Sequence, residues 1–78
     1  MSILDKLADD KSKNVREMLA QNPSTPAKIL IKISDDTNRD IRQIVAQNPN
    51  TPLKALEKLA DDEDDDVRYF TAYNPNTL

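Results

Sequence analysis

Three groups of residues in this chain have the types and spacing to do chemistry. Asp61 to Asp66 is an unbroken run of six acids, an Asp–Arg pair recurs along the chain with the Arg six residues on, and Tyr69 and Tyr73 stand four apart. A carboxylate run can attract a basic partner or hold a cation. Asp–Arg pairs can bind an anion or bridge one element to the next. Exposed tyrosines supply contact area at low entropic cost. Covalent and redox chemistry has no residues to carry it. Histidine and cysteine are both absent, which removes thiolate nucleophiles, disulfides, iron–sulfur clusters and ordinary zinc sites. Glycine is also absent, so phosphate-cradling loops, dinucleotide fingerprints and the sharp turn of an EF-hand calcium loop are not available. No carboxylate pair has a reason to be desolvated. No catalytic residue, metal ligand or cofactor is therefore expected, and the chain reads as a non-enzyme.

The elements that position these groups follow from an internal repeat. The 78 residues divide without a gap into three units of 26, at 1–26, 27–52 and 53–78, which form a single repeat domain. Asn22-Pro23 recurs as Asn48-Pro49 and Asn74-Pro75, and Thr25-Pro26 as Thr51-Pro52 and then Thr77-Leu78. Asp9-Asp10, Ala20 and Lys6 return at the same interval, and Val15-Arg16 returns as Ile41-Arg42 and Val67-Arg68. Each unit reads as helix A, an acidic turn, helix B and an Asn-Pro turn. Thr25 and Thr51 are expected as N-caps of helix A, with Pro26 and Pro52 at the first helical position, where a missing N–H costs nothing. Helix A of the second unit should run about 26–34, with Ile29, Leu30 and Ile33 inward. Helix B should start at Ser12, Asn38 and Asp64, which are all capable N-caps, and should end at the Asn-Pro step. Its inward positions read Val15, Met18 and Leu19, then Ile41, Ile44 and Val45, then Val67 and Phe70. One two-helix unit cannot bury both of its faces, and stacking makes the core continuous.

The residues Leu7 to Asp10, Val15-Arg16 and Ala20 to Pro26, repeated 26 positions on, resemble the variant leucine-rich repeat, a relative of HEAT-like helical repeats. The resemblance covers essentially the whole chain. It implies a right-handed superhelix of paired short helices, one of each pair sometimes 3₁₀, and generally a protein-binding role. The cysteine-rich iron–sulfur segment of one founding type has no counterpart here. The expected fold is thus all-α, a right-handed α-solenoid of three two-helix repeats.

Columns that hold the same polar residue in every unit read as scaffold. Asp10, Asp36 and Asp62 lie at the start of helix B, where the helix dipole favours them, and Arg16, Arg42 and Arg68 can bridge carboxylates of their own and the adjacent unit. The Asn column is expected to cap backbone groups at the turn. Columns that vary read as surface. With Val15, Met18 and Leu19 inward, Lys13, Glu17 and Gln21 share the opposite stripe, as do Arg39, Gln43 and Gln47, then Asp65, Tyr69 and Tyr73. Asp64 joins this candidate partner-binding surface as part of the acidic run. Charge is uneven along the chain: the last unit holds seven acids and three bases, the first two units seven acids and eight bases. Lys28, Lys32, Lys54 and Lys58 read as a solubilising face of helix A.

The function these features favour is a small adaptor or inhibitor that binds another protein, one with a basic surface, through helix B. The alternatives are a structural subunit that stacks through uncapped solenoid ends, and an acidic mimic of nucleic acid. A net charge of −3 disfavours sequence-independent nucleic-acid binding. Thr71 stands where Leu19 and Val45 stand in the other units, so that side of the last unit is expected to meet water. Met1, Ile3, Leu4 and Leu7 make the first helix the stickier end, and a weak homodimer through it is expected. No apolar run approaches the ~20 residues of a membrane span. Residues 1–8 include Asp5 and no basic stretch ahead of an apolar one, so no secretory signal is expected. The expected location is the cytoplasm.

Overall fold

A computed structural model describes residues 2–77. It contains six α-helices, Ile3–Ala8 (α1), Lys13–Gln21 (α2), Ala27–Ile33 (α3), Arg39–Gln47 (α4), Leu53–Leu59 (α5) and Asp65–Tyr73 (α6), then a 3₁₀ turn at Pro75–Thr77. No strand occurs among the described residues. The odd-numbered helices are the A helices, and all three are α rather than 3₁₀. They pack in one row, α2, α4 and α6 in a second, and the two rows pack against each other. The longest dimension is 31 Å, which three layers at the ~10 Å helix–helix spacing account for. The architecture is an all-α solenoid. Met1 and Leu78, placed at the sequence level in the first helix and in the Thr-Pro column, lie outside the described residues.

Helix boundaries follow local chemistry. Asn38 accepts the Asp40 N–H at 2.8 Å and Asp64 accepts those of Asp66 and Val67, each at 3.0 Å, as N-caps. Ser12 takes the same position without a side-chain bond. Ser2 and Asp5 form a capping box on α1. All three B helices end at Asn22, Asn48 and Asn74, because the following proline disfavours a helical conformation there. No described residue has a positive φ. A chain without glycine closes its turns in the right-handed and extended regions instead, with αR residues Ser34 and Ala60 ending α3 and α5.

The expected Thr caps are not formed. Pro26 and Pro52 are themselves the N-caps of α3 and α5. The Thr hydroxyls turn backward: Thr25 donates to the Leu19 carbonyl at 2.7 Å and Thr51 to that of Val45 at 2.6 Å. Those carbonyls lie in the last turn of helix B, where intrahelical donors run out. The buried threonines thus close the end of the helix behind them, where their hydroxyls find an acceptor.

The core runs between the rows through Leu30, Ile33, Ile41, Val45, Leu56, Leu59 and Val67. Met18 departs from the expected inward set: it is 66% exposed, while its counterparts Ile44 and Phe70 are half-buried. This column lies at the margin of the buried arc, and in the second and third units it lines grooves shared with Gln21 and Gln47 of the unit before. Thr71 also departs from expectation. It is buried, its hydroxyl donates to the Val67 carbonyl at 2.7 Å, and its own carbonyl accepts from Thr77. A hydroxyl is tolerated in this apolar column because it bonds one turn back along its own helix. Among the described residues, every buried side-chain nitrogen and oxygen has a hydrogen-bond partner.

Candidate functional site

The polar columns join one unit to the next. Arg42 Nε meets the Asp62 carboxylate at 2.7 Å and one terminal nitrogen donates to the Asp36 carbonyl at 2.7 Å; Arg16 repeats both contacts with Asp36 and the Asp10 carbonyl, each at 2.8 Å. Each Arg thus has a carboxylate on one side only, that of the following unit, and a backbone carbonyl on its own side. The expected carboxylates on both sides are not present because the Asp of the same unit is turned elsewhere, Asp36 toward Arg16 and the Asn38 N–H and Asp10 toward the Ser12 N–H. Hydrogen bonding to Asp62 raises the Arg42 value further.

The Asn column does more than close the turn. Asn48 Nδ2 donates to the Ala20 carbonyl at 2.7 Å and to that of Asn22 at 3.1 Å, and its Oδ1 accepts from the Asn50 N–H at 2.8 Å. Asn74 repeats the pattern with Ala46, Asn48 and Asn76. Lys32 and Lys58, read from sequence as a solubilising face, reach back to Asp9 at 2.9 Å and Asp35 at 2.8 Å. Lys28 and Lys54 are exposed.

The scaffold divides the sequence-derived surface. Lys13 is half-buried and meets Asp40 at 2.8 Å and Glu17 at 3.6 Å. Arg39 reaches Asp64 at 3.3 Å, and Gln43 donates to the same carboxylate at 3.3 Å. Lys13, Glu17, Arg39, Gln43 and Asp64 are therefore held in side-chain contacts along and between the B helices. Gln21, Gln47, Asp65, Tyr69 and Tyr73 are exposed, with Tyr69 at 64% and Tyr73 at 82%. The Tyr69 ring stands edge-on to Phe70, centroids 5.2 Å apart. One further outward column lies beside them. Asn14, Asp40 and Asp66 are exposed in all three units, and all three residues are polar, a signal available in the sequence. Between neighbouring C-terminal turns, shallow grooves hold Ile44 beside Gln21 and Gln47, and Phe70 beside Gln47 and Tyr73.

In the acidic run the carboxylates of Asp64, Asp65 and Asp66 lie within 4.8 Å of one another. Asp64 is already committed: one oxygen accepts from Asp66, Val67 and Gln43, and the other meets Arg39. These contacts, the Val67 N–H above all and the Gln43 and Arg39 side chains after it, hold the Asp64 carboxyl below its ordinary value against the opposing effect of desolvation. A value lowered by folding contributes stability that is present above the unfolded value of about 4 and is lost as pH falls through the folded value. Asp64→Asn keeps a capping side chain, as Asn38 does in the same column, and is expected to flatten the acid limb of a plot of urea midpoint against pH. Superimposable acid limbs for the two proteins would contradict this assignment.

Residues 39–64 match the family model described as leucine rich repeat variant. The segment is one period long, from the start of α4 to the cap of α6, and the match supports a variant leucine-rich repeat family. No curated protein and no solved structure matches the chain.

Proposed function

We propose that this chain, built on variant leucine-rich repeats, is a non-enzymatic adaptor or inhibitor that binds another protein across the outward face of its B helices. A leucine rich repeat variant domain points to a protein-interaction module without catalysis. Among the described residues, no helix is long and apolar enough to cross a membrane. The observation that carries the finer reading is Tyr73, 82% exposed on a helix whose equivalent positions hold Gln21 and Gln47. The scaffold makes no demand for an aromatic there. Around it lie the Ile44 and Phe70 grooves, and at the other end of the same helix face lies Asp66. An aromatic ridge beside carboxylates suits a partner with an apolar contact ringed by basic residues.

The double change Tyr69→Ala with Tyr73→Ala is expected to leave helix content nearly intact and to remove the proteins that the immobilised wild-type chain retains from an extract. Each hot-spot tyrosine contributes on the order of 2 kcal/mol or more to binding. A folded variant that retains the same proteins, or a variant that unfolds, would overturn this reading. Charge acts differently from contact area. Asp65→Asn with Asp66→Asn, which spares the Asp64 cap, is expected to slow association and weaken its salt dependence, with little change in dissociation. Association kinetics across a salt series check this, and an unchanged association rate would remove the electrostatic contribution.

A further inference from the structure

The grooves that hold Ile44 and Phe70 are one feature repeated. Gln21, Ile44, Gln47, Asn48 and Pro49 line the first, of about 310 Å³. The second, of about 290 Å³, is lined by the residue 26 positions after each, with Phe70 in place of Ile44 and Tyr73 in place of Gln47. Both lie inside junctions between successive units. Each has a half-buried apolar side chain, an Asn-Pro step and two residues of the outward column, and no lining residue is charged. Gln47 belongs to both grooves and so forms the ridge between them; its Nε2 donates to the Gln43 carbonyl at 3.2 Å, which keeps the side chain along its own helix. Gln21 and Gln47 are exposed although α4 and α6 pack beside their helices, so the exposure of Tyr73 is a property of the column.

The grooves repeat with the unit, at the ~10 Å spacing of packed helices. That interval selects among the conformations of a bound segment. A β-strand advances ~3.3 Å per residue and alternates its faces, so the side chain ~10 Å on points away from the protein. An α-helix returns a side chain to one face every ~5.4 Å, so one would strike the Gln47 ridge between two seated in grooves. A polyproline II segment turns once in about three residues and ~9.3 Å, with nothing between on that face. Its carbonyls make no internal hydrogen bonds, and the Gln21 amide and Tyr73 hydroxyl stand at the grooves as donors. Charge lies to one side. Asp66, Tyr69 and Tyr73 follow one another along one face of α6. Asp66 is exposed and, among the described residues, meets no cation. A basic side chain leaving a segment beside Tyr73 crosses the exposed Tyr69 ring on its way to Asp66.

We propose that the partner segment seated on this face is a polyproline II stretch with a proline at every third position and a basic residue beside it. The segment runs along the solenoid, across the C-terminal turns of the B helices. One proline enters the Ile44 groove and the next enters the Phe70 groove, with the Gln47 ridge passing between them. The basic side chain lies over Tyr69 with Asp66 beyond. Such an occupant presupposes the B-helix face as the protein-binding surface and adds the chemistry of what that surface binds.

Fluorescence anisotropy tests this with a labelled synthetic peptide of repeated Ala-Pro-Pro triplets ending in Arg, titrated with the 78-residue chain. Saturable binding is expected, weakened about tenfold or more by Tyr73→Ala. Tyr69→Ala is expected to weaken binding of that peptide and to leave unchanged the affinity for one ending in Gln. Both tyrosines are exposed, so the helix spectrum should not change in either variant. A peptide of the same length with alanine in place of every proline, free to form a helix, should bind more weakly. No saturable binding into the millimolar range would overturn the proposal. So would equal or tighter binding of the alanine peptide, or an affinity untouched by Tyr73→Ala. If no peptide binds while the immobilised chain still retains proteins through Tyr69 and Tyr73, the polyproline segment falls and the B-helix face stands. If that retention does not depend on the tyrosines either, both fall.

Discussion

Asn48→Ala is expected to lower stability by about 2–4 kcal/mol, because a buried carbonyl, a second carbonyl and an N–H all lose their partner at once. Asn48 is 3% exposed and bonds Ala20, Asn22 and Asn50 together across a junction. A chain of this size has a total stability of roughly 4–12 kcal/mol, so the loss is a large share of the whole. Asn22 provides the control. It holds the same column, is exposed, and its amide oxygen accepts only the Ser24 N–H, at 2.9 Å. Asn22→Ala should cost less than about 1 kcal/mol. Urea midpoints of the two variants check the comparison. Equal shifts would mean that the column closes turns and does not bind units together.

Arg42→Ala is the second large effect. Arg42 and Asp62 are 13% and 10% exposed at their side chains, and the guanidinium also holds the Asp36 carbonyl. Removing it leaves a partly buried carboxylate without its cation and a carbonyl without its donor, a loss of about 2–3 kcal/mol. Arg39 differs by three positions but has a side chain 66% exposed and a single longer contact, 3.3 Å to Asp64. Arg39→Ala should cost less than about 1 kcal/mol, as exposed ion pairs do. Similar small shifts in urea midpoint for both variants would remove the Arg–Asp ladder as a source of stability.

Much of this fold is legible in the sequence, and the parts that are not share a cause. The helix-B caps at Ser12, Asn38 and Asp64 and the stop at each Asn-Pro step depend on neighbours within a few residues, so type and spacing suffice to place them. The direction in which a side chain reaches across a junction does not. Thr25 has the right type for a cap of the helix ahead and closes the helix behind. Asp36 could have paired with Arg42 of its own unit and instead takes Arg16 of the preceding one. Met18 has an apolar side chain at helical spacing and is exposed, because its column lies at the margin of the buried arc, where spacing alone does not decide burial. The candidate surface shows the same limit. Tyr69 and Tyr73 stand out because their columns are otherwise polar, but the separation of committed Lys13 and Gln43 from open Gln21 and Gln47 requires knowing where the neighbouring helix lies.

A partner seated on the outward face of helix B is tested for by site-specific photo-crosslinking in the native host, with a photoreactive amino acid placed at Gln47 on that face or at Lys54 on helix A. Both positions are exposed, so neither replacement disturbs the core. Adducts with a protein other than the chain itself are expected from position 47 and none from position 54. Adducts from Lys54 with none from Gln47 would contradict this expectation and place the partner on the helix-A row.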